Sequence, residues 1–295
     1  MKWLLFIFIV LSGTSGITFA QSVTRANDTT STDSYVRLGL RYKSDYFYMG
    51  RADSAKAPYF VPTVGYYHKS GLFINGGMSY LATDTEGRID LFTVTAGYDY
   101  FGKKLMTGIS ISEYFFSDQS YAVQAEMNTF LSAYAGYDFE AFMLITDASL
   151  GFSESTDFFL GAELSRMFYM ARNKLIITPS FYTNLGTQRY YNEYYTKRSI
   201  TTGSGGSGKG HGSGSNGGSS STTMNIEILE YEKFQILDYE LGIQATYKLK
   251  QLRFTLAGTL LFPVNPSTVV TDQETYEEDL ETGFLWSASI RYLLK

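Results

Sequence analysis

The stretch Asp90-Leu91-Phe92-Thr93-Val94-Thr95-Ala96-Gly97-Tyr98-Asp99-Tyr100-Phe101 decides the fold class. Phe92, Val94, Ala96, Tyr98 and Tyr100 fall on one side of an extended chain, and Thr93, Thr95, Gly97 and Asp99 fall on the other. A period of two is what a strand produces, because successive side chains point to opposite faces. The same sorting recurs near the end of the chain. Leu252, Phe254, Leu256, Leu260 and Phe262 oppose Arg253, Thr255 and Thr259, and Phe284, Trp286, Ala288, Ile290, Tyr292 and Leu294 oppose Ser287, Ser289 and Arg291.

Carried in both directions, this pattern predicts twelve strands, at about 34–48, 59–68, 72–82, 90–101, 104–115, 126–139, 141–152, 157–170, 174–190, 230–249, 251–262 and 282–294. Tight turns at 68–71, 102–103, 140, 172–173 and 250–251 alternate with longer connections at 49–58, 83–89, 116–125, 153–156, 191–229 and 263–281. Short turns on one rim and long loops on the other, with an even strand number, predict an all-β transmembrane antiparallel barrel whose termini lie on the periplasmic side. Size selects the apolar face as the outer one. A barrel of about eight strands fills its interior with side chains, whereas a wider one with an apolar lining would be left with dry, empty space.

The aromatic share is 17%, mostly 25 Tyr and 22 Phe. Rings gather at the predicted strand ends. Tyr46, Tyr48, Tyr80, Tyr114, Phe116, Phe158, Tyr190, Tyr191, Phe262 and Phe284 stand near the long loops, and Tyr66, Tyr98, Tyr100, Tyr137, Phe139, Phe168, Tyr247 and Tyr292 near the short turns. Two such belts are expected as the girdles at the two membrane interfaces.

Lys2, the apolar run Trp3–Leu11 and the small-residue ending Thr18-Phe19-Ala20 read as a secretory signal peptide over 1–20. A polar segment, 21–33, precedes the barrel at 34–295. Residues 203–221 are almost entirely Gly and Ser, inside an insertion at about 196–225, and are expected to form a flexible extracellular tether. There is no Cys, so disulfides and thiolate chemistry are excluded. The net charge of −5, more negative once Lys2 is removed, makes nucleic acid an unsuitable partner for an exported chain without a basic stripe. Outer-membrane lipid, lipopolysaccharide and small polar solutes are the partners that this reading implies.

Chemistry-bearing motifs are sparse. The only histidines are His68, at a tight turn, and His211, in the Gly/Ser stretch, and neither lies mid-wall where a barrel hydrolase would need an imidazole base. No catalytic, cofactor or metal site is expected. The acidic run Asp272, Glu274, Glu277, Glu278, Asp279 and Glu281 matches no ordered calcium loop and reads as a solvated loop. More informative is the predicted lumen. Arg37, Arg41 and Lys43 on the first strand, Arg253 on the eleventh and Arg291 on the twelfth face inward and would form one basic wall on closure. Asp147, Glu163, Asp238 and Glu240 face inward from other strands. Opposed charged walls would set up a transverse field that orients permeating solutes, and direct bridging between them would instead plug the lumen.

Lys43-Ser44-Asp45-Tyr46-Phe47-Tyr48-Met49-Gly50-Arg51, then Pro58, Val64-Gly65-Tyr66 and Lys69-Ser70-Gly71-Leu72-Phe73, resembles the start of a family of porin-like outer-membrane β-barrels. The resemblance spans roughly 40 residues, and it implies an outer-membrane barrel of loosely defined transport function without catalytic residues. Two readings follow from the sequence. The first is a passive channel for small polar solutes. The second is a closed structural or adhesive barrel that meets partners through the Gly/Ser loop and the cluster Tyr190–Tyr195.

Overall fold

The structure is a computed structural model that describes residues 33–52, 56–83, 87–117, 120, 122, 127–192, 226–229, 231–271 and 275–295. The expected signal segment 1–20, nearly all of the polar segment, and the Gly/Ser insertion lie outside the described residues.

Twelve long strands close into one antiparallel sheet. They are β1 (Tyr35–Lys43), β2 (Tyr59–Tyr67), β3 (Leu72–Ala82), β4 (Gly87–Phe101), β5 (Leu105–Phe116), β6 (Thr129–Asp138), β7 (Met143–Phe152), β8 (Thr156–Ser165), β10 (Leu175–Gly186), β12 (Gln235–Leu249), β13 (Leu252–Pro263) and β16 (Gly283–Leu294). Each pairs with its sequence neighbours, and β1 pairs with both β2 and β16, so the barrel has no open edge. The short β9 (Phe168–Met170) extends one turn by pairing with β10. Above the long-loop rim, β11 (Ile226–Leu229), β14 (Thr268–Thr271) and β15 (Thr275–Glu277) form a separate three-stranded sheet.

The wall is inside-out relative to a water-soluble protein. Val64, Ile74, Ile109, Ile111, Ile243 and Leu256 all point outward and are more than half exposed, or nearly so, while Thr93, Thr95, Ser112, Ser132, Asp147 and Glu163 point inward and are buried. An apolar outer surface around the whole ring has no favourable counterpart in water, but it matches lipid. The protein is therefore a transmembrane β-barrel. On the short-turn rim the expected ring of Tyr66, Tyr98, Tyr100, Tyr137, Phe139, Phe168 and Tyr247 does face outward.

The long-loop rim departs from expectation. Tyr46, Tyr48, Tyr114, Tyr190 and Tyr191, assigned above to the outer girdle, turn inward and are buried. Strand β1 ends at Lys43 instead of continuing to 48, because the Ser44 hydroxyl accepts from the Trp286 amide at 3.0 Å and ends the ladder. Strand β8 stops at Ser165 and β10 at Gly186, both short of the predicted ends at 170 and 190. Two β-bulges account for further inward residues. The register slips between Ser79 and Tyr80 of β3, opposite Asp90 of β4, so that Asp90 and Leu91 both face inward. It slips again between Asn184 and Leu185 of β10, opposite Leu237 of β12, so that Leu237 and Asp238 both face inward. A bulge adds one residue and breaks the strict alternation, which a period-two reading cannot anticipate.

Candidate functional site: the charged lumen and its aromatic plug

The sequence-predicted lumen residues occupy two sectors of the wall. In the basic sector, Arg291 of β16 is registered with Arg253 of β13 on one side and with Gly39 of β1 on the other. Arg37 and Arg41 flank that glycine along β1. A Cβ at residue 39 would come within 2.6 Å of Thr63 Oγ1, so the missing side chain makes room for that hydroxyl, and Arg291 Cγ would lie at an ordinary contact distance of 3.6 Å. Arg37 is seated 4.5 Å over the Tyr67 ring, Arg291 reaches Thr255 Oγ1 at 3.4 Å, and Arg253 donates to the Lys250 carbonyl at 2.6 Å. Arg41 lies between Val61 and Ser289, and the Lys43 ammonium stands 5.7 Å from the Tyr46 ring.

The acidic sector is continuous over β7, β8, β10 and β12. Tyr182 of β10 is registered between Glu163 and Glu240, and Asn184 between Gly161 and Asp238. Asn184 Nδ2 donates to Asp238 Oδ1 at 2.6 Å and to Glu240 Oε1 at 3.3 Å, while the Tyr182 hydroxyl donates to Asp147 Oδ1 at 2.8 Å. That last bond passes over Gly161, where any Cβ would collide with both Tyr182 Oη and Asp147 Oδ1. Asp147, Glu163, Asp238 and Glu240 are all buried. The two sectors are not simply opposed. Asp147 lies on the strand across the ring from β1, but Asp238 and Glu240 sit on β12, only two strands from β1's neighbour of closure, β16. Between the charged sectors, β3 to β7 contribute a neutral hydroxyl track in which Thr95 meets Ser112 at 2.9 Å and Ser110, Ser132 and Ser149 are registered in one row.

What the sequence reading missed is a plug at the long-loop mouth. Residues 44–52 leave the wall and fold into the barrel as a tight hairpin. Its amides close on each other, Tyr48 N to Arg51 O at 2.7 Å and Arg51 N to Tyr48 O at 3.1 Å. Met49 and Gly50 between them both have positive φ, 50° and 78°, as a two-residue hairpin turn with the right twist requires. The root is clamped by Asp45 Oδ1, which accepts from the amides of Tyr46 at 2.8 Å and Ala57 at 2.9 Å.

The hairpin tip reaches the far wall. The Tyr48 ring packs edge-on against Phe159 of β8, 5.9 Å away at 89°, and against Tyr190, 5.1 Å away at 87°. Around it, Tyr46, Met49, Tyr59, Leu81, Leu91, Tyr114, Met127, Phe130, Leu237 and Ile228 form one continuous apolar cluster that draws on most of the strands of the ring. Burial pushes the Tyr48 phenol well above its ordinary pKa and does the same to Tyr190, with the Asp157 carboxylate adding to the effect on both. Both rings are therefore uncharged wherever the barrel works.

Two carboxylates organise the plug's surroundings. Asp90, displaced inward by its bulge, accepts from the Tyr59 hydroxyl at 2.5 Å, from Ser117 and Ser120 Oγ at 2.9 Å each, and from Arg88 Nε at 3.2 Å. Asp157 accepts from Thr187 Oγ1 and from the amides of Arg189 and Tyr190, capping the helical residues 189–192, in which Tyr190 and Tyr191 are buried. Tyr190 and Tyr191 are thus part of the seal and do not face outside, which corrects half of the adhesive-cluster expectation; Tyr194 and Tyr195 lie outside the described residues. His68 sits on the short-turn rim with Nδ1 2.8 Å from Ser70 Oγ, and His211 lies outside the described residues.

No family model and no curated protein sequence matches the chain. Among solved structures it is similar to the KdgM porin, at 9% identity over 87% of this chain and 98% of that one with a TM-score of 0.45. It is also similar to the NanC porin, at 10% identity over 87% and 98% with a TM-score of 0.46. A third similarity, to a structure described as a bacterial polysaccharide outer membrane secretin, has 11% identity over 90% and 98% with a TM-score of 0.42. At these identities the likeness is one of barrel architecture.

Proposed function

We propose that the protein is a channel of the bacterial outer membrane through which small polar solutes pass passively, reached after export and removal of residues 1–20, and that its mouth is closed in this conformation by the 44–52 hairpin. The observation that supports this reading is the lumen itself. Buried carboxylates, Asp147, Glu163, Asp238 and Glu240 among them, arginines and a hydroxyl track line a closed barrel whose outer face is apolar. Burying ionic groups is costly even when they are paired, so a barrel with a purely structural role gains little from so many of them. Arg37, Arg41, Lys43, Arg253 and Arg291 on one sector, and Asp147, Glu163, Asp238 and Glu240 on the other, are assigned to orient a passing solute by its charge. The hairpin closes the mouth together with wall side chains such as Tyr59, Tyr114 and Phe159, and a second buried cluster of wall residues, Met106, Tyr134, Met143, Ile145 and Tyr182, lies apart from it.

A second reading, a closed barrel that engages partners through its outer loops, is favoured by one observation: the plug's apolar residues form one buried cluster with the wall. Single-channel conductance in a planar bilayer separates the two, using the mature protein and a version in which residues 45–51 are replaced by a short Gly/Ser bridge. Stable steps in the bridged version, with cation preference shifted by Arg41→Glu, are the expected result. A bridged version that still shows the heat-dependent gel shift of an intact barrel, yet stays silent, would discard the channel and leave the second reading.

A further inference from the structure

The hairpin is tied down at its far end by one buried ion pair, and beside it is open space. Arg51, the residue that closes the turn, donates through Nε and Nη2 to Glu278 Oε2 at 3.3 and 3.2 Å and through Nη2 to the Asn265 carbonyl at 3.2 Å. Its side chain is 2% exposed and that of Glu278 12% exposed. Glu278 is itself oriented from two directions, accepting from the Tyr191 hydroxyl on Oε1 at 2.6 Å and from the Ser267 amide on Oε2 at 3.1 Å. The guanidinium also stands 5.6 Å over the Tyr191 ring. With its amide oxygen turned toward Arg51, Gln188 accepts from Nε and Nη2 at 3.0 Å each. Three chain segments therefore meet at one side chain: the hairpin, the turn after β10, and the loop between β13 and β16.

Beside the hairpin, and bordered by Arg51, Glu278 and Tyr191 themselves, is a cavity of about 630 Å³. Phe47 and Gly50 of the hairpin line it, as do Tyr276, Asp279 and Glu281 of the last long loop. Neither Asp279 nor Glu281 has a hydrogen-bonding or ionic partner among the described residues. Besides the Tyr48 contact with Phe159, the hairpin tip approaches the barrel wall at Gly50, where a Cβ would come within 2.8 Å of Asp238 Cβ and 3.0 Å of Pro263 Cβ. A Cβ there would require one of these neighbours to shift.

We infer that the 44–52 hairpin is a movable gate and that Arg51 is the positioning residue that latches it shut, through Glu278, to the last long loop. The inference rests on the channel reading above, and it couples the mouth to that loop. Whatever draws Glu278 away releases the hairpin toward the adjacent cavity, with Ser44 and Asp45 as the fixed root. The arrangement has the form of a two-state element: a packed hairpin with one polar tether and room to move.

The test reads the latch without relying on conductance. Arg51 is a trypsin site that the closed hairpin hides, so limited proteolysis of the full-length mature barrel in detergent, followed by N-terminal sequencing for a chain starting at Ala52, reports hairpin release. Glu278→Gln is expected to raise the rate of that cut at least tenfold and to lengthen open times in the bilayer. A Glu278→Gln barrel that keeps Arg51 protected overturns the latch. Because the chain has no native Cys, Gly50→Cys with Pro263→Cys supplies a second measurement, with Gly50→Cys alone as the control for a side chain at positive φ. Oxidation of the pair is expected to silence conductance and a reductant to restore it, whereas an oxidised pair that conducts as well as the reduced one overturns the gate. If the bridged version described above is silent while Glu278→Gln still exposes Arg51, the channel reading fails and the latch stands.

Discussion

Tyr48→Ala is the perturbation whose outcome is best constrained. The ring is 1% exposed, so nearly all of its surface is withdrawn from water when the hairpin docks. Aromatic side chains bury roughly 150–250 Å² each, and at about 25 cal/mol per Å² that is about 4–6 kcal/mol. The edge-on contacts with Tyr190 and Phe159 add about 0.5–1.5 kcal/mol each by general experience of such pairs. Truncation leaves an alanine's worth of burial and allows some collapse of the cavity, so the loss in docking free energy is put at about 3–5 kcal/mol, in line with large-to-small aromatic substitutions. At 1.4 kcal/mol per factor of ten, the ratio of released to docked hairpin rises roughly a hundredfold to several thousandfold. Tyr48→Phe keeps the ring. The Tyr48 hydroxyl has no hydrogen-bond partner among the described residues, so this variant is expected to behave as the parent. The assay is the rate of trypsin cleavage after Arg51 together with single-channel open probability, on material whose heat-dependent gel shift shows an intact barrel. An intact Tyr48→Ala barrel in which neither quantity changes would refute the reasoning, because the ring would then not be what holds the hairpin in the mouth.

Asp157→Ala removes the cap of the 189–192 turn and its bonds to the amides of Arg189 and Tyr190; a loss of about 1–2 kcal/mol is expected, read as faster hydrogen exchange at those amides than in the strand interiors. Leu256→Arg places a charge on the lipid-facing wall in the middle of β13 and is expected to cost about 2–4 kcal/mol in barrel stability, measured by urea-driven unfolding in lipid vesicles, whereas Leu294→Arg at the rim should cost markedly less. Because burial raises the phenol pKa of Tyr48 and Tyr190 above the unfolded value, their contribution is full below about pH 10 and is lost as pH rises beyond it; hairpin protection from a protease that is active at high pH should be flat from pH 7 to 10 and fall above. On the short-turn rim Glu140 holds the Lys104 ammonium at 2.6 Å, which raises the Lys104 pKa and lowers that of Glu140, yet both groups are in water. Glu140→Gln is therefore expected to leave the thermal transition unmoved, as followed by gel shift.

The barrel was legible in the chain because its physics is local. Alternation from Phe92 to Tyr100 and from Leu252 to Phe262 states which side chains want lipid, turns such as Lys250-Gln251 state where the chain reverses, and a strand's period of two converts the one into the other. For the same reason parity alone sets Arg37, Arg41, Asp147, Glu163, Arg253 and Arg291 apart from the apolar side chains of their strands. What the tertiary structure decided is which inward groups meet, and what closes the mouth. Tyr46, Tyr48, Tyr190 and Tyr191 have the composition of a membrane girdle, and nothing in their spacing distinguishes a ring that faces lipid from one that folds back into the lumen. That choice depends on Ser44 ending β1, on Asp45 and Asp157 clamping loop roots across long sequence separations, and on two bulges that break parity at Asp90 and Leu237. The Arg51–Glu278 pair joins residues 227 positions apart. A period of two carries no information about such a contact, since it is set by the curvature of a closed ring that brings the end of the chain back to its beginning.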